Sequence, residues 1–150
     1  MSKLTKLGLA LTVVVVVIVV IFAVILADVS TVSHTTQIVN KVATVDPHTY
    51  NYYQFTVPKG ASGISVSGTF TAQGGSDNDI KVYIFDKTDF SHYQNGEDYT
   101  SLYQSGQTTT SSFITKLPSS GTYYLVLDNQ FSADSQKTVN IQANVSYKTS

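Results

Sequence analysis

The chain has 150 residues, a formal net charge of −1, no cysteine and no tryptophan. This length allows one ordinary domain with an appendage, and without cysteine the chain holds neither a disulfide framework nor a cysteine-ligated zinc site. The near-zero net charge argues against a nucleic-acid partner, because such partners require a concentrated basic surface.

The N-terminal region contains the longest apolar run of the sequence. Residues 7–27 carry no charge, and residues 13–21 are all valine or isoleucine. A helix of this length spans about 30 Å, the thickness of the hydrocarbon core of a bilayer. Inside lipid every backbone polar group must be paired within the segment, so we expect a transmembrane helix at residues 7–27 despite its β-branched composition.

The charges that flank this run predict the orientation of the helix. Lys3 and Lys6 precede it, and Asp28 follows it. Because positive residues favour the cytoplasmic side of a membrane, we expect residues 1–6 to be a cytoplasmic leader and residues 28–150 to lie outside. The sequence thus predicts a single-pass protein of the cell membrane, with the lipid bilayer as its first partner.

Two other interpretations of the N-terminal region stay open. A basic start and an apolar run are also typical of a cleaved signal peptide, although this run exceeds the usual length of about 7–15 residues. The exit Ile25-Leu26-Ala27 also lacks a small residue at the first position of a cleavage motif. The segment from Lys6 to Leu11 resembles pilin precursors, in which a leader is removed and the helix packs in a filament core.

From residue 28 onward the sequence has the pattern of β-structure. We expect a stalk at residues 28–35 and a first strand at residues 36–45. Beyond these, apolar and polar residues alternate in short runs between turns rich in glycine, proline and serine, which is typical of half-buried strands. The further predicted strands are residues 53–57, 64–70, 80–86, 113–117, 122–128 and 139–147.

These elements predict an all-β fold for residues 36–150. About seven or eight short strands without a helical pattern favour an antiparallel β-sandwich of jelly-roll type. Residues 80–86 and 123–127 are apolar on both faces, which predicts strands that are central in a sheet or covered by a long connection. The last strand alternates almost perfectly with polar residues, so one of its faces should be in water.

The connection between residues 87 and 107 is too aromatic for an ordinary polar loop. It contains Phe90, Tyr93, Tyr99 and Tyr103, and tyrosine-rich loops provide rigid, amphipathic contact area. These rings either cap an open edge of the sandwich or form a recognition surface. We take the four as candidate partner-binding residues, and the partner would be another surface protein or a copy of the chain.

Other candidate sites are few. Asp77 and Asp79 could supply two of the six to eight oxygens that calcium needs, although aspartates in turns also bond their own backbone; calcium is the one candidate cofactor. Asn144 begins an Asn-Val-Ser sequon that would face outward and is a candidate glycosylation site. No Gly-x-Ser-x-Gly elbow occurs, and we expect no catalysis.

Three segments resemble known families. Residues 77–86 (DNDIKVYIFD) and 121–129 (GTYYLVLDN) resemble the Asp-Ile-x-Val strand and the Gly-x-Tyr strand ending in Asn of the GOLD domain of secretory-pathway cargo proteins. Residues 52–58 (YYQFTVP) resemble the aromatic strand of pre-peptidase C-terminal domains. Both resemblances imply a binding or accessory role. Cargo-receptor function does not carry over, because secretory GOLD proteins carry their anchor at the C-terminus and often a disulfide.

The sequence therefore predicts a membrane-anchored cell-surface module that binds or assembles through aromatic, serine-rich and threonine-rich loops. A pilin-like filament subunit is one alternative. A calcium- or glycan-binding accessory domain is the other.

Overall fold

The structure, a computed structural model, describes residues 30–150. The predicted leader at residues 1–6 and the predicted transmembrane helix at residues 7–27 lie outside the described residues. Within residues 30–150, no helix has the length and apolar character needed to cross a membrane.

Eight strands and one helix make up the described part of the chain. In chain order they are β1 (Val32–Val45), β2 (Tyr50–Val57), β3 (Ser62–Gln73), β4 (Ile80–Asp86), α1 (Lys87–Asn95), β5 (Tyr103–Thr108), β6 (Thr110–Lys116), β7 (Gly121–Asp128) and β8 (Lys137–Thr149). β1 begins within the segment predicted to be a stalk, because its first residues pair with the end of β8. β5 was not predicted, since its sequence YQSGQT has no apolar alternation.

The strands form two antiparallel four-stranded sheets, which confirms the predicted all-β sandwich. The first sheet has the order β1-β8-β3-β6 and the second has the order β2-β7-β4-β5. Apolar side chains from both sheets fill the space between them, including Phe70 and Ile141 of the first sheet and Ile84 and Leu125 of the second. The predicted alternation of the last strand is confirmed, since every second residue from Val139 onward points into this core.

The two ends of the sandwich differ in what they carry. β1 begins at one end, where Val32 pairs with Thr149. The opposite end, called the distal end below, carries the turns β1–β2, β3–β4, β5–β6 and β7–β8. At this distal end Asp128 of β7 pairs with both Tyr50 of β2 and Lys81 of β4.

The aromatic connection contains a helix, so the prediction of no helix after residue 27 is wrong here. α1 begins where the Asp86 carboxylate accepts a hydrogen bond from the Asp89 amide at 2.9 Å, which is the usual N-cap arrangement. It ends at Gly96, whose left-handed φ of 69° lets the Glu97 amide donate to the His92 carbonyl. Nine residues are too few to show a clear helical period, which is why the sequence did not predict it.

α1 explains the strands that are apolar on both faces. β4 and β7 are the two central strands of the second sheet, as predicted. Their outward side chains Tyr83, Phe85 and Val126 are buried because Phe90 and Tyr93 of α1 pack on them. The same prediction gave a long connection as a cover for these strands, and the packing of α1 on them confirms it.

Candidate functional site

α1 is too short to cover the outward face of the second sheet. Nine helical residues span about 13 Å, whereas the seven residues of β4 span about 23 Å. Because α1 starts directly after β4 at the end away from the distal turns, it covers Phe85 and Tyr124. Its C-terminal end borders the distal part of the face around Lys81 and Asp128, which stays open.

This open part is a cavity of about 570 Å³, within the range of about 300–1,000 Å³ that is usual for ligand sites. Lys81, Tyr83 and Asp128 form its floor. Tyr99 and Phe131 and the C-terminal end of α1 form its walls. The cavity thus combines several converging polar groups with aromatic rings, and its lining is more polar than that of most small-molecule sites.

Asp128 is the most deeply placed charged group of the cavity. Its residue is only 5% exposed, and its Oδ1 accepts a hydrogen bond from the Gln130 amide at 2.7 Å. Burial raises the pKa of the Asp128 carboxyl, and the Gln130 amide, the Lys81 charge and the Tyr93 hydroxyl offset only part of that rise. The fold therefore holds a carboxylate where its charge is disfavoured, and such groups are frequent at functional sites.

Three tyrosines stand beside Asp128. The ring centroids of Tyr83, Tyr93 and Tyr99 lie 5.4–6.2 Å from one another, and the Tyr93 hydroxyl donates to Gln130 Oε1 at 3.0 Å. Both hydroxyls are protonated at neutral pH, because the ordinary tyrosine pKa is 10.0, and burial raises the pKa of Tyr83 and of Tyr93 further. Tyr99 is 41% exposed and presents its ring at the mouth of the cavity.

The four candidate partner-binding residues do not form one exposed surface. Phe90 and Tyr93 are 4% and 7% exposed because they anchor α1 to the sheet. Tyr103 packs on the core side of β5, with its ring stacked 4.7 Å from the ring of Phe113. Tyr99 is the most exposed of the four and Tyr103 is half-buried, so the predicted surface narrows to Tyr99 beside a cavity, and partner binding stays a prediction.

The sequence did not single out the polar residues of this site. Lys81 and Asp128 entered the sequence interpretation only as members of the segments that resemble the GOLD domain, and Gln130 directly follows the second of these segments. One signal was present: Asp128 ends an otherwise apolar strand on the same face as Tyr124 and Val126. A carboxylate on the covered face of a central strand is unusual, because buried charges normally need a partner.

The two candidate calcium ligands are not arranged to bind calcium. Asp77 is exposed, whereas Asp79 is 8% exposed and its Oδ1 accepts from the Lys137 ammonium at 3.0 Å. Gln107 donates to the other carboxylate oxygen of Asp79. In residues 30–150 no group of three or more acidic or histidine side chains is placed to hold a metal ion. The lysine already occupies the position that a cation would take.

The Asp79 carboxylate makes a testable contribution to acid stability. Burial acts to raise its pKa, but the hydrogen bonds from Gln107 and Lys137 and the charge of Lys137 outweigh burial and lower the pKa below its ordinary 3.8. The stabilisation is therefore complete above the ordinary pKa and is lost as the pH falls through the lower, folded-state value.

We expect the free energy of unfolding of the intact chain to fall as the pH drops from above 3.8 through the lower, folded-state pKa of Asp79, and to fall less steeply in an Asp79→Asn variant. Urea unfolding followed by circular dichroism across this range measures both slopes. Equal slopes would show that Asp79 is not the titrating group.

Asn144 lies half-exposed on the outward face of β8, the strand between β1 and β3. This placement leaves the sequon at the surface, and glycosylation of Asn144 stays a prediction.

The motif residues of the predicted family resemblance have structural roles. Asp79, the acid of the Asp-Ile-x-Val strand, is the partner of Lys137. In the Gly-x-Tyr strand the Tyr123 hydroxyl donates to the Ser119 carbonyl at 2.7 Å. Asn129, which follows that strand, is fully buried and its amide donates to carbonyls of two distal turns, at Asp46 and Ser135. The motif thus fixes the strand ends and turns of the sandwich.

The family is decided by the match of residues 43–150 to the emp24/gp25L/p24 family/GOLD. The chain belongs to the emp24/gp25L/p24 (GOLD) family. The match covers β2–β8 and the end of β1, so the cavity and the motif residues both lie within this GOLD domain. Among curated proteins, none matches the chain.

Several solved structures are similar to the chain at low sequence identity. A structure of Bacillus endospore appendages, which form disulfide-linked pili, has 13% identity and a TM-score of 0.43, covering 81% of this chain and 90% of that chain. The periplasmic lysozyme inhibitor PliG of Aeromonas hydrophila has 17% identity and a TM-score of 0.44, with coverages of 77% and 87%. The K3 cleaved adhesin domain of Lys-gingipain from Porphyromonas gingivalis has 8% identity and a TM-score of 0.47, with coverages of 75% and 99%.

Proposed function

We propose that the chain is a non-catalytic binding module, held at the outer face of the cell membrane by the apolar segment at residues 7–27. The N-terminus lies in the cytoplasm and the GOLD domain lies outside. Membership of the GOLD family supports binding without catalysis.

The cavity beside α1 is the observation that carries this proposal. It opens near the distal end of the sandwich, where Lys81 pairs with Asp128. Its floor holds a buried carboxylate, and its mouth holds an exposed aromatic ring. Both features cost stability in the unbound domain, which favours a role in binding over a role in packing.

The flanking charges of residues 7–27 support the topology. Lys3 and Lys6 favour the cytoplasmic side, and the run between Leu7 and Ala27 is long enough to span a bilayer. The pilin-like alternative uses the same segment to build a filament and would leave the cavity unexplained.

The proposal is tested with the full-length chain in the membrane of intact cells. We expect a C-terminal epitope tag to be removed by external protease, and the chain to stay in the membrane fraction at high pH. We also expect surface cross-linking to recover a partner that is reduced at least tenfold by Tyr99→Ser. The matched control is Ile114→Ser, because Ile114 is 76% exposed and belongs to the first sheet.

A tag that external protease cannot reach would refute the topology. Equal recovery of partners by Tyr99→Ser and by the control would refute binding at the cavity.

A further inference from the structure

The cavity brings hydrogen-bonding groups of opposite polarity close together. The Asp128 carboxylate can only accept, the Lys81 ammonium can only donate, and the side-chain amides of Gln94 and Gln130 do both. A ligand with several neighbouring groups that each donate and accept satisfies all of them. The vicinal hydroxyls of a sugar ring have this property.

Other classes of ligand fit the cavity less well. An anion would meet the carboxylates of Asp128 and Glu97, and like charges at short range repel. A metal ion would find the Lys81 ammonium on the same cavity floor as Asp128. A purely apolar ligand would exclude water from the Asp128 carboxylate without replacing its hydrogen bonds, which is costly.

The aromatic groups of the cavity are placed to contact the C–H face of a ring. Tyr99 is held edge-to-face against Phe85 at 5.3 Å and against Tyr83 at 6.2 Å, yet it is 41% exposed. Phe131 also lines the cavity, with the Lys81 ammonium 5.1 Å from its ring centroid. Both rings are thus positioned before any ligand arrives, which lowers the entropy cost of binding.

Provided that the GOLD domain is the binding module proposed above, we infer that the cavity between α1 and the distal ends of β4 and β7 binds a neutral saccharide. Asp128 and Lys81 bond neighbouring hydroxyls, and Tyr99 stacks on the ring. Charge-assisted hydrogen bonds to Asp128 are the strongest polar contacts of this arrangement.

An Asp128→Asn variant can distinguish a binding role of Asp128 from a structural one. Because its pKa is raised by burial, the folded protein binds the proton more tightly than the unfolded chain does. The ionised carboxylate therefore costs stability above the raised pKa, and this cost disappears as the pH falls below 3.8. Asp128→Asn keeps an oxygen for the Gln130 amide and removes the charge, so it should not lower the melting temperature at pH 7.

The test uses the full-length chain in phospholipid nanodiscs, since the sugar head group of a maltoside detergent would compete for the cavity. An array of neutral and acidic oligosaccharides identifies a ligand, and isothermal titration with the matching methyl glycoside measures its affinity. We expect a neutral saccharide to bind. We further expect Asp128→Asn to weaken it at least tenfold without a lower melting temperature, and Tyr99→Ala to weaken it about tenfold.

Ile114→Ser serves as the control and should bind as the wild type does. Binding that Asp128→Asn leaves unchanged, or binding of acidic glycans alone, would overturn the saccharide assignment. If no glycan binds while Tyr99→Ser still abolishes cross-linking of the cellular partner, the saccharide is refuted and the binding module stands. If neither the array nor the cross-linking detects a partner, both proposals fail.

Discussion

Lys137→Met is expected to lower the free energy of unfolding by about 3–5 kcal/mol, the range found when one member of a buried ion pair is removed. Lys137 is 3% exposed, and its ammonium donates to Asp79 Oδ1 at 3.0 Å and to the Gly74 carbonyl at 2.8 Å. Without it, Asp79 is a buried carboxylate whose remaining side-chain partner is the neutral Gln107. Chemical denaturation of the intact chain in nanodiscs at pH 7 measures the loss.

The pair also joins the two sheets, which adds to the expected effect. Asp79 directly precedes β4 of the second sheet, and Lys137 begins β8 of the first. The matched control is Lys116→Met, because Lys116 is exposed on β6 and such a change usually stays within about 0.5 kcal/mol.

The double variant Asp79→Leu/Lys137→Met removes both charges together. We expect it to be less destabilised than the sum of its single variants, because no lone charge stays buried. Strictly additive losses would show that the two groups do not stabilise each other.

Phe90→Ala is expected to cost about 3–5 kcal/mol, as large-to-small changes of buried aromatic residues do. The Phe90 ring lies parallel to the Tyr124 ring at a centroid distance of 4.0 Å, and Tyr52 lies 5.0 Å away. A helix of nine residues has little stability of its own. Loss of Phe90 should therefore release α1 from the sheet, which hydrogen exchange of the α1 amides would detect as lost protection.

Tyr99→Ser is the comparison, since Tyr99 follows the same helix but is 41% exposed. Its expected cost is about 1 kcal/mol or less, with α1 still protected. If Phe90→Ala left the free energy of unfolding and the protection of the α1 amides unchanged, the Phe90 ring would be exposed. The recognition surface expected from the sequence would then be supported again.

The alternation of apolar residues was sufficient to predict the sandwich. β8 shows why: Val139 and Ile141 face the core, while Asn140 and Gln142 between them are exposed. Such a pattern depends only on the two-residue period of a strand. Because β4 and β7 are apolar on both faces, the sequence also indicated that another segment covers their outward face.

What covers that face could not be read from the same pattern. α1 has two buried apolar residues, Phe90 and Tyr93, too few to define a helical stripe. Its start depends on the side chain of Asp86 and its end on Gly96, both of which are also common in plain turns. The aromatic content left capping and recognition both open, and three of the four rings, those of Phe90, Tyr93 and Tyr103, are packing residues.

The polar site was missed because it is assembled across the sheet. Lys81 and Asp128 are 47 positions apart and become neighbours only through the register of β4 and β7. Asp128 ends an apolar strand. Whether its side chain lines a cavity or is covered depends on where α1 ends. That point is set by helix length, which the sequence pattern left undefined.

The pairing of β1 with β8 has a consequence for biogenesis. Val45 pairs with Lys137 and Val32 with Thr149. The edge of the first sheet therefore joins the first and the last strand of the domain in sequence order. β1 emerges early from the ribosome but can form no ladder until the final strand has also emerged. The first sheet can therefore be completed only after β8 has emerged, and until then the unpaired backbone of β1 is open to foreign strands.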